Sequence, residues 1–367
     1  MGIGCAVWVS SIPELREILK LDDAGLGVFL LSGPAGNIFS FIFASLLMRR
    51  YGSKSVVSIA TVVFAASLAM IGIGFRYAMP LIWFCLSLAV FGAGGNLMNI
   101  AANAQAGLVE RATGRSVMGS FHATWSATNL GCGLLAMAAM NLDVAPATRF
   151  FTIAAVVIAL HVAGFRKLIR EEPVAAEATM RFSVLPRPLL IFGLVAMVIM
   201  GIEGSISDWS GVFFRECLAA DQGRKLWGYC AAITAITVGR VAMDQLVNRF
   251  GARRVFRTLC LLAAGGITSA CLLPRLFAPG LPQLVSSAAG YFIAGLGVSG
   301  MIPIVYSRAM KATELPTGSA MTIVGAIGFI AYFLIPVLVG ALSSVIGLSF
   351  ALTVIGLSAL LIVFVHV

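Results

Sequence analysis

The sequence predicts an all-α integral membrane protein of two six-helix bundles around a central cavity. Three observations predict it: a composition that water cannot solvate, a ladder of apolar runs of spanning length, and sequence marks that recur about half a chain apart. Of 367 residues, 60% are hydrophobic and 11% are charged, against about 45–50% and about 25% in soluble domains. With a mean hydropathy of +1.00 there is too little polar side chain to cover a water-soluble globule, so most of the surface faces lipid. Soluble enzymes and disordered regulators are thereby excluded. The seven cysteines, from Cys5 to Cys271, form no C-x-x-C pair and lie mostly in apolar runs, where a thiol behaves as a small hydrophobe. No disulfide framework, metal site or cofactor box follows.

A spanning helix needs about 17–25 apolar residues. Runs of that kind lie near 26–47, 54–74, 80–104, 116–139, 149–165, 188–211, 226–247, 255–273, 283–307, 317–342 and 348–367. Residues 1–12 are apolar too and reach Pro13, but a dozen helical residues cover only about 18 Å of a roughly 30 Å hydrocarbon core. This stretch is read as part of a first helix, incomplete in this chain, with about eleven residues expected upstream. A signal peptide does not fit, because the first basic residue, Arg16, follows the apolar stretch.

Alternate connections differ in charge. One set carries sixteen Lys and Arg, among them Arg49, Arg50, Lys54, Arg166, Lys167, Arg249 and Arg253, and the other carries eight. The richer set is assigned to the cytoplasm, together with both termini and the linker. The net charge of +10 is thus a topology signal, and no nucleic-acid partner is expected.

Arg16-Glu17-Ile18-Leu19 and Arg215-Glu216-Cys217-Leu218 stand 199 residues apart, as do Arg50-Tyr51-Gly52 and Arg249-Phe250-Gly251. Gly92-Ala93-Gly94 and Gly295-Leu296-Gly297 echo each other at 203. Such repetition marks two homologous halves: an N-terminal bundle at 1–165, a charged, proline-bearing linker at 166–187, and a C-terminal bundle at 188–367.

Several residues inside the spans carry chemistry. Gly92, Asn96, Asn99 and Asn103 fall within about 60° of one another on a helix; this polar stripe lines a cavity or bonds neighbouring helices. His122, Ser126, Asn129 and Gly133 repeat the spacing, and His122 is a candidate proton carrier. Glu203 and Asp208 are the sharpest marks, because a charge at mid-bilayer costs roughly 2.5–3.5 kcal/mol and faces a pathway or a partner. Both are candidates for proton coupling, and with Trp209 and the three asparagines they are assigned to the substrate cavity. Asp208 has a bland alternative, pairing with Arg215. Arg240 lies about 13 Å above Arg249 and one turn from Asp244, the spacing of an intrahelical ion pair that would serve as a structural pair or gate. Pro34, Pro303 and Pro336 mark expected helix irregularities.

The loop Ser45-Leu46-Leu47-Met48-Arg49-Arg50-Tyr51-Gly52-Ser53-Lys54, echoed at Asp244 to Arg254 through Arg249 and Gly251, resembles the signature loop of the major facilitator superfamily. That pattern is roughly G-x-L-x-D-R-x-G-R-R. Arg49 and Asn248 replace its acid, and Ser45 and Asp244 its first glycine, which implies a weakened or differently paired latch. Asn103-Ala104-Gln105-Ala106, Gly114-Arg115, Phe121-His122-Ala123, Glu203-Gly204, Asp208-Trp209-Ser210 and Trp8 with Ser11-Ile12-Pro13 are similar to the bacterial YbjJ/MosC-like permease branch. The resemblance implies a major facilitator fold in a bacterial inner membrane. It also implies secondary transport of a small polar, sugar- or cyclitol-like solute by alternating access, with a coupling proton and no cofactor, by a monomer. A membrane enzyme is not supported, since H-E-x-x-H, G-x-S-x-G and P-loop motifs are absent. The alternatives are a drug or metabolite efflux antiporter and a non-transporting receptor or scaffold. Asn129-Leu130-Gly131-Cys132-Gly133 lacks the Gly-Pro signature typical of drug antiporters, which favours the polar solute.

Overall fold

The computed structural model describes residues 2–113, 118–170, 186–313 and 317–365, and among these residues every regular element is helical. The chain divides into two compact units, Met1–Lys20 with Phe29–Thr179, and Leu21–Val28 with Met180–Val367. Most of the segment read as the linker, 171–185, lies outside the described residues.

Helix α1 (Gly2–Leu19) does not stop at Pro13. It continues to Leu19, so its 18 residues cover about 27 Å. Proline removes one helical hydrogen bond, but α1 packs against α5 and α6, Ile12 and Leu15 on either side are 1% and 0% exposed, and that burial outweighs the loss. After α2 (Asp23–Leu30), α3 (Ser32–Tyr77) joins two of the predicted spans through a single kink at Gly52, where φ is 71° and ψ 160°. Positive φ is inexpensive only for glycine. α4 (Leu81–Thr113), α5 (Met118–Asn141) and α6 (Pro146–Gly164) follow, and a 3₁₀ turn (Phe165–Lys167) ends α6.

The second unit begins with α7 (Arg187–Cys217) and α8 (Trp227–Phe250). Gly251, with φ 80° and ψ 144°, turns the chain into α9 (Ala252–Leu272). The Arg-aromatic-Gly repeat has a repeated geometry: Arg50 lies 5.4 Å from the Tyr51 ring centroid and Arg249 5.3 Å from that of Phe250. α10 (Leu281–Val298), α11 (Met301–Lys311), α12 (Thr317–Phe329), α13 (Ala331–Ile346), α14 (Leu348–Leu357) and α15 (Ala359–Ile362) complete the chain. The helical runs break at Leu31, at Ser299–Gly300 and at Ile330. The first two breaks fall three or four residues before Pro34 and Pro303, where a proline ring meets the carbonyl one turn back. Pro336 sits inside α13, six residues after the third break.

Among the described residues, eight helices are long and apolar enough to cross a membrane. The described parts of the remaining predicted spans are mainly helical as well, but α1 carries Glu14, Arg16 and Glu17, and α8 carries Arg240 and Asp244, which lowers their hydropathy.

Within the second unit the core face of α7 presents Ile199, Ile202, Ile206, Trp209 and Phe213, each no more than 2% exposed, at the alternation of three and four that a buried helix stripe requires. α9 and α10 meet along Gly266, Gly290 and Gly297, where a Cβ would collide with the backbone of Ala294, Ala270 and Ala263; small residues let spanning helices approach this closely. Residues 21–28 belong to this unit because the first turns of α2 dock on α13. Gly27 abuts the Pro336 carbonyl, Gly340 abuts that of Asp23, and Ser343 Oγ donates to the Asp23 carboxylate.

Candidate functional site

In the second unit α7 and α8 are joined by an ion pair between Glu203 and Arg240, with Oε1 and Nη2 3.6 Å apart. Both side chains keep partial access, 23% and 36% exposed, because the core stripe of α7 turns Glu203 to the flank of the helix. Sequence spacing pairs Arg240 with Asp244, whose side chain lies outside the described ones; the pair seen here runs between helices. Ser207 Oγ donates to the Glu203 carbonyl at 3.1 Å. Gly201 and Gly204 receive α13: a Cβ on Gly201 would lie 2.8 Å from Ile335, and one on Gly204 3.5 Å from the Tyr332 ring. The Tyr332 hydroxyl then lies in the electrostatic field of Glu203, Asp208, Tyr306 and Arg240. Tyr306, on α11, faces α12 at Gly325.

This constellation of two acids, one arginine and two phenols on four helices can bind hydroxyl groups and hold a mobile proton. Tyr332 and Tyr306 were not singled out by sequence reasoning. The available signal was an aromatic residue with a polar tip inside an apolar span, the kind whose hydroxyl needs a partner when buried. Asp208 is half-buried beside this group, whereas Arg215, its alternative partner, donates to the Ala220 carbonyl at 3.4 Å. Trp209 does not line an open space: it is 0% exposed on the core face of α7, and its indole N–H has no hydrogen-bond partner.

In the first unit the asparagine stripe of α4 runs along α3. Gly92 abuts the Gly33 carbonyl, and Asn96 Nδ2 donates to Ser40 Oγ at 2.7 Å and to the Asn37 carbonyl at 3.5 Å. Asn96 therefore bonds helix to helix. Further along the stripe, Asn103 Nδ2 meets Asn99 Oδ1 at 3.5 Å, and both residues are half-buried. Asn129 is 4% exposed. The His122, Ser126 and Arg49 side chains lie outside the described ones. Arg149 on α6 is 5% exposed and ion-paired with Glu14 on α1, an interaction the sequence does not announce because 135 residues separate the two. Among the described residues no cluster of three or more His, Cys, Asp and Glu could hold a metal ion.

Two helical units with membrane-length spans, the second of them carrying a polar cluster between its helices, define a multi-pass membrane protein. The family model of the Major Facilitator Superfamily matches residues 1–313, and the chain belongs to that superfamily. An uncharacterized MFS-type transporter of Yersinia pestis is 27% identical over 352 residues, covering 95% of this chain and 88% of that one. Membrane protein MosC of Rhizobium meliloti is 26% identical over 354 residues, covering 96% and 83%. Among solved structures, a D-xylose-proton symporter superposes with a TM-score of 0.77 at 15% identity, covering 100% of this chain and 94% of that one. The nucleoside transporter NupG gives 0.73 at 14%, covering 99% and 95%. These two likenesses concern the fold.

Proposed function

We propose that the protein is a proton-coupled secondary transporter of a small polar solute, sugar- or cyclitol-like, acting as a monomer in a bacterial cytoplasmic membrane by alternating access. The observation that carries this reading is the Glu203–Arg240 pair between two spanning helices, with Tyr332 beside it. An ion pair in a span is expensive to insert and is kept where charge must be carried or matched. Glu203 takes up a proton and gives up its ionic hold on Arg240, and the guanidinium and the two phenols are then released toward solute hydroxyls. Return of the proton restores the pair. A fold shared with a xylose-proton symporter and a nucleoside transporter supports the solute class, and bacterial relatives support the bacterial membrane.

The test is uptake into proteoliposomes under an imposed pH gradient, with radiolabelled D-xylose, myo-inositol and uridine as probes. Wild type should accumulate at least one of them. Glu203→Gln should lose gradient-driven accumulation while retaining solute exchange. Undiminished pH-driven uptake by the Gln variant would refute the coupling role, and transport of an amphipathic cation with none of the three probes would refute the solute class.

A further inference from the structure

Gln105 stands in the Asn103-Ala104-Gln105 motif, and nothing in the solute site uses it. It is 3% exposed near the end of α4 that carries the basic loops. Its side-chain amide pairs with the main chain just beyond α6: Nε2 donates to the Ile169 carbonyl at 2.9 Å, and Oε1 accepts from the Ile169 N–H at 2.9 Å. The second Nε2 hydrogen goes to Ser53 Oγ at 2.7 Å. Beside it, Lys54 Nζ donates to the Leu168 carbonyl at 3.1 Å and lies 4.6 Å from the Phe165 ring centroid. Leu168 itself packs against the cluster of Ala44, Val56, Val57, Ala60, Leu97 and Ala101.

We infer that Gln105, with Lys54, anchors the start of the linker between the two halves. The amide offers the main chain one donor and one acceptor, as a neighbouring strand would, so it fixes position 169 whatever side chain stands there. A carboxylate of the same length cannot donate, and Asn is one methylene too short. The repeat supplies an internal comparison. At its offsets of 199 and 203 residues, Ala252 stands where Ser53 does and Arg308 where Gln105 does; Ala252 offers no side-chain acceptor and Arg308 no acceptor for an N–H. A bundle of this architecture is therefore built without the grip, and the grip goes with the linker. Its consequence is mechanical: the connection to α7 starts at Arg170 instead of Gly164, which removes about 20 Å of extended reach.

Hydrogen exchange of the full chain in detergent, followed by mass spectrometry of peptides covering 165–170, tests this inference independently of the role of Glu203. Gln105→Leu should speed exchange of the Ile169 amide by about tenfold or more and open the chain to trypsin after Lys167. Gln105→Glu should give a smaller rise, since its carboxylate still accepts from the Ile169 N–H. Ser53→Ala, which removes a contact of Gln105 but leaves the linker bonds, should leave exchange at 169 near wild type. Unchanged exchange in a Leu variant of wild-type melting temperature would overturn the proposal, as would equal exchange in the Ser53→Ala and Gln105→Leu variants. Should the Leu variant fail to fold, Gln105→Glu and Lys54→Met decide by the same readout, and unchanged exchange in both overturns the anchor.

Discussion

The ion pair between α7 and α8 is open to a double-mutant cycle. At 3.6 Å, two unit charges attract by about 4–5 kcal/mol at an effective dielectric near 20. The side chains keep 36% and 23% of their exposure and the separation is long for a charged hydrogen bond, so screening reduces the expected coupling to about 1–2 kcal/mol. Glu203→Gln, Arg240→Gln and the double variant would be unfolded in a denaturing detergent series, and the coupling taken from the cycle. The parallel cycle with Asp244→Asn serves as the comparison, because a pair one turn apart on a helix contributes about 0.2–0.5 kcal/mol. The Glu203 cycle should give the larger coupling, and the double variant should be less damaged than the sum of the singles. Additive effects at Glu203 and Arg240, or a stronger coupling between Arg240 and Asp244, would refute the interhelical assignment.

Three further outcomes follow from packing. Gly290→Val places a side chain against the Ala270 backbone, which cannot rotate away, and should cost about 3 kcal/mol or abolish folding; a wild-type melting curve would contradict the tight α9–α10 contact. Ser40→Ala removes the nearer of the two acceptors of Asn96 and should cost roughly 0.6–1.7 kcal/mol in thermal unfolding without changing the KM of any probe solute; a change in KM would assign Asn96 to the solute site. Glu14→Gln leaves the buried Arg149 without its carboxylate and should destabilise by about 3–5 kcal/mol, a loss that the double change Glu14→Gln with Arg149→Leu should partly recover, as read by melting temperature.

The helices were legible because lipid imposes one rule on the whole chain. Over the described residues each predicted span is built of helix, broken only by short turns, and the Gly52 and Gly251 turns fall where the Arg-aromatic-Gly marks recur. Partners were not legible to the same degree. Periodicity places Asn96 on a polar stripe but does not say that Ser40 stands opposite, and it sets Asp244 one turn from Arg240 without announcing that Glu203 reaches Arg240 from the neighbouring helix. Trp209 follows Asp208 directly in sequence, yet one residue is 100° around a helix, enough to carry it onto the core face. Local propensity disfavours Pro13 inside a helix, and burial of its neighbours overrides that preference.

The repeat also separates what the fold requires from what it does not. Gly92 against the Gly33 carbonyl in the first half recurs as Gly295 against the Ala232 carbonyl in the second, the same crossing of two helices at the repeat offsets. Asn96 has Ser299 at its offset, and Ser299 is likewise pressed against a neighbouring helix, at Gly239. These polar and small positions are shared because both bundles need them in order to pack. The charges are not shared. The offset of 199 residues places Gly4 at the position of Glu203 and Phe41 at that of Arg240. The first bundle closes with a glycine packed against Phe64 and a phenylalanine half-exposed at those places, so nothing in the architecture calls for an acid and a guanidinium there. Their insertion cost brings no packing that the uncharged half lacks, and it is kept on the side of the repeat where the Tyr332 hydroxyl lies in the field of both charges together with Asp208 and Tyr306.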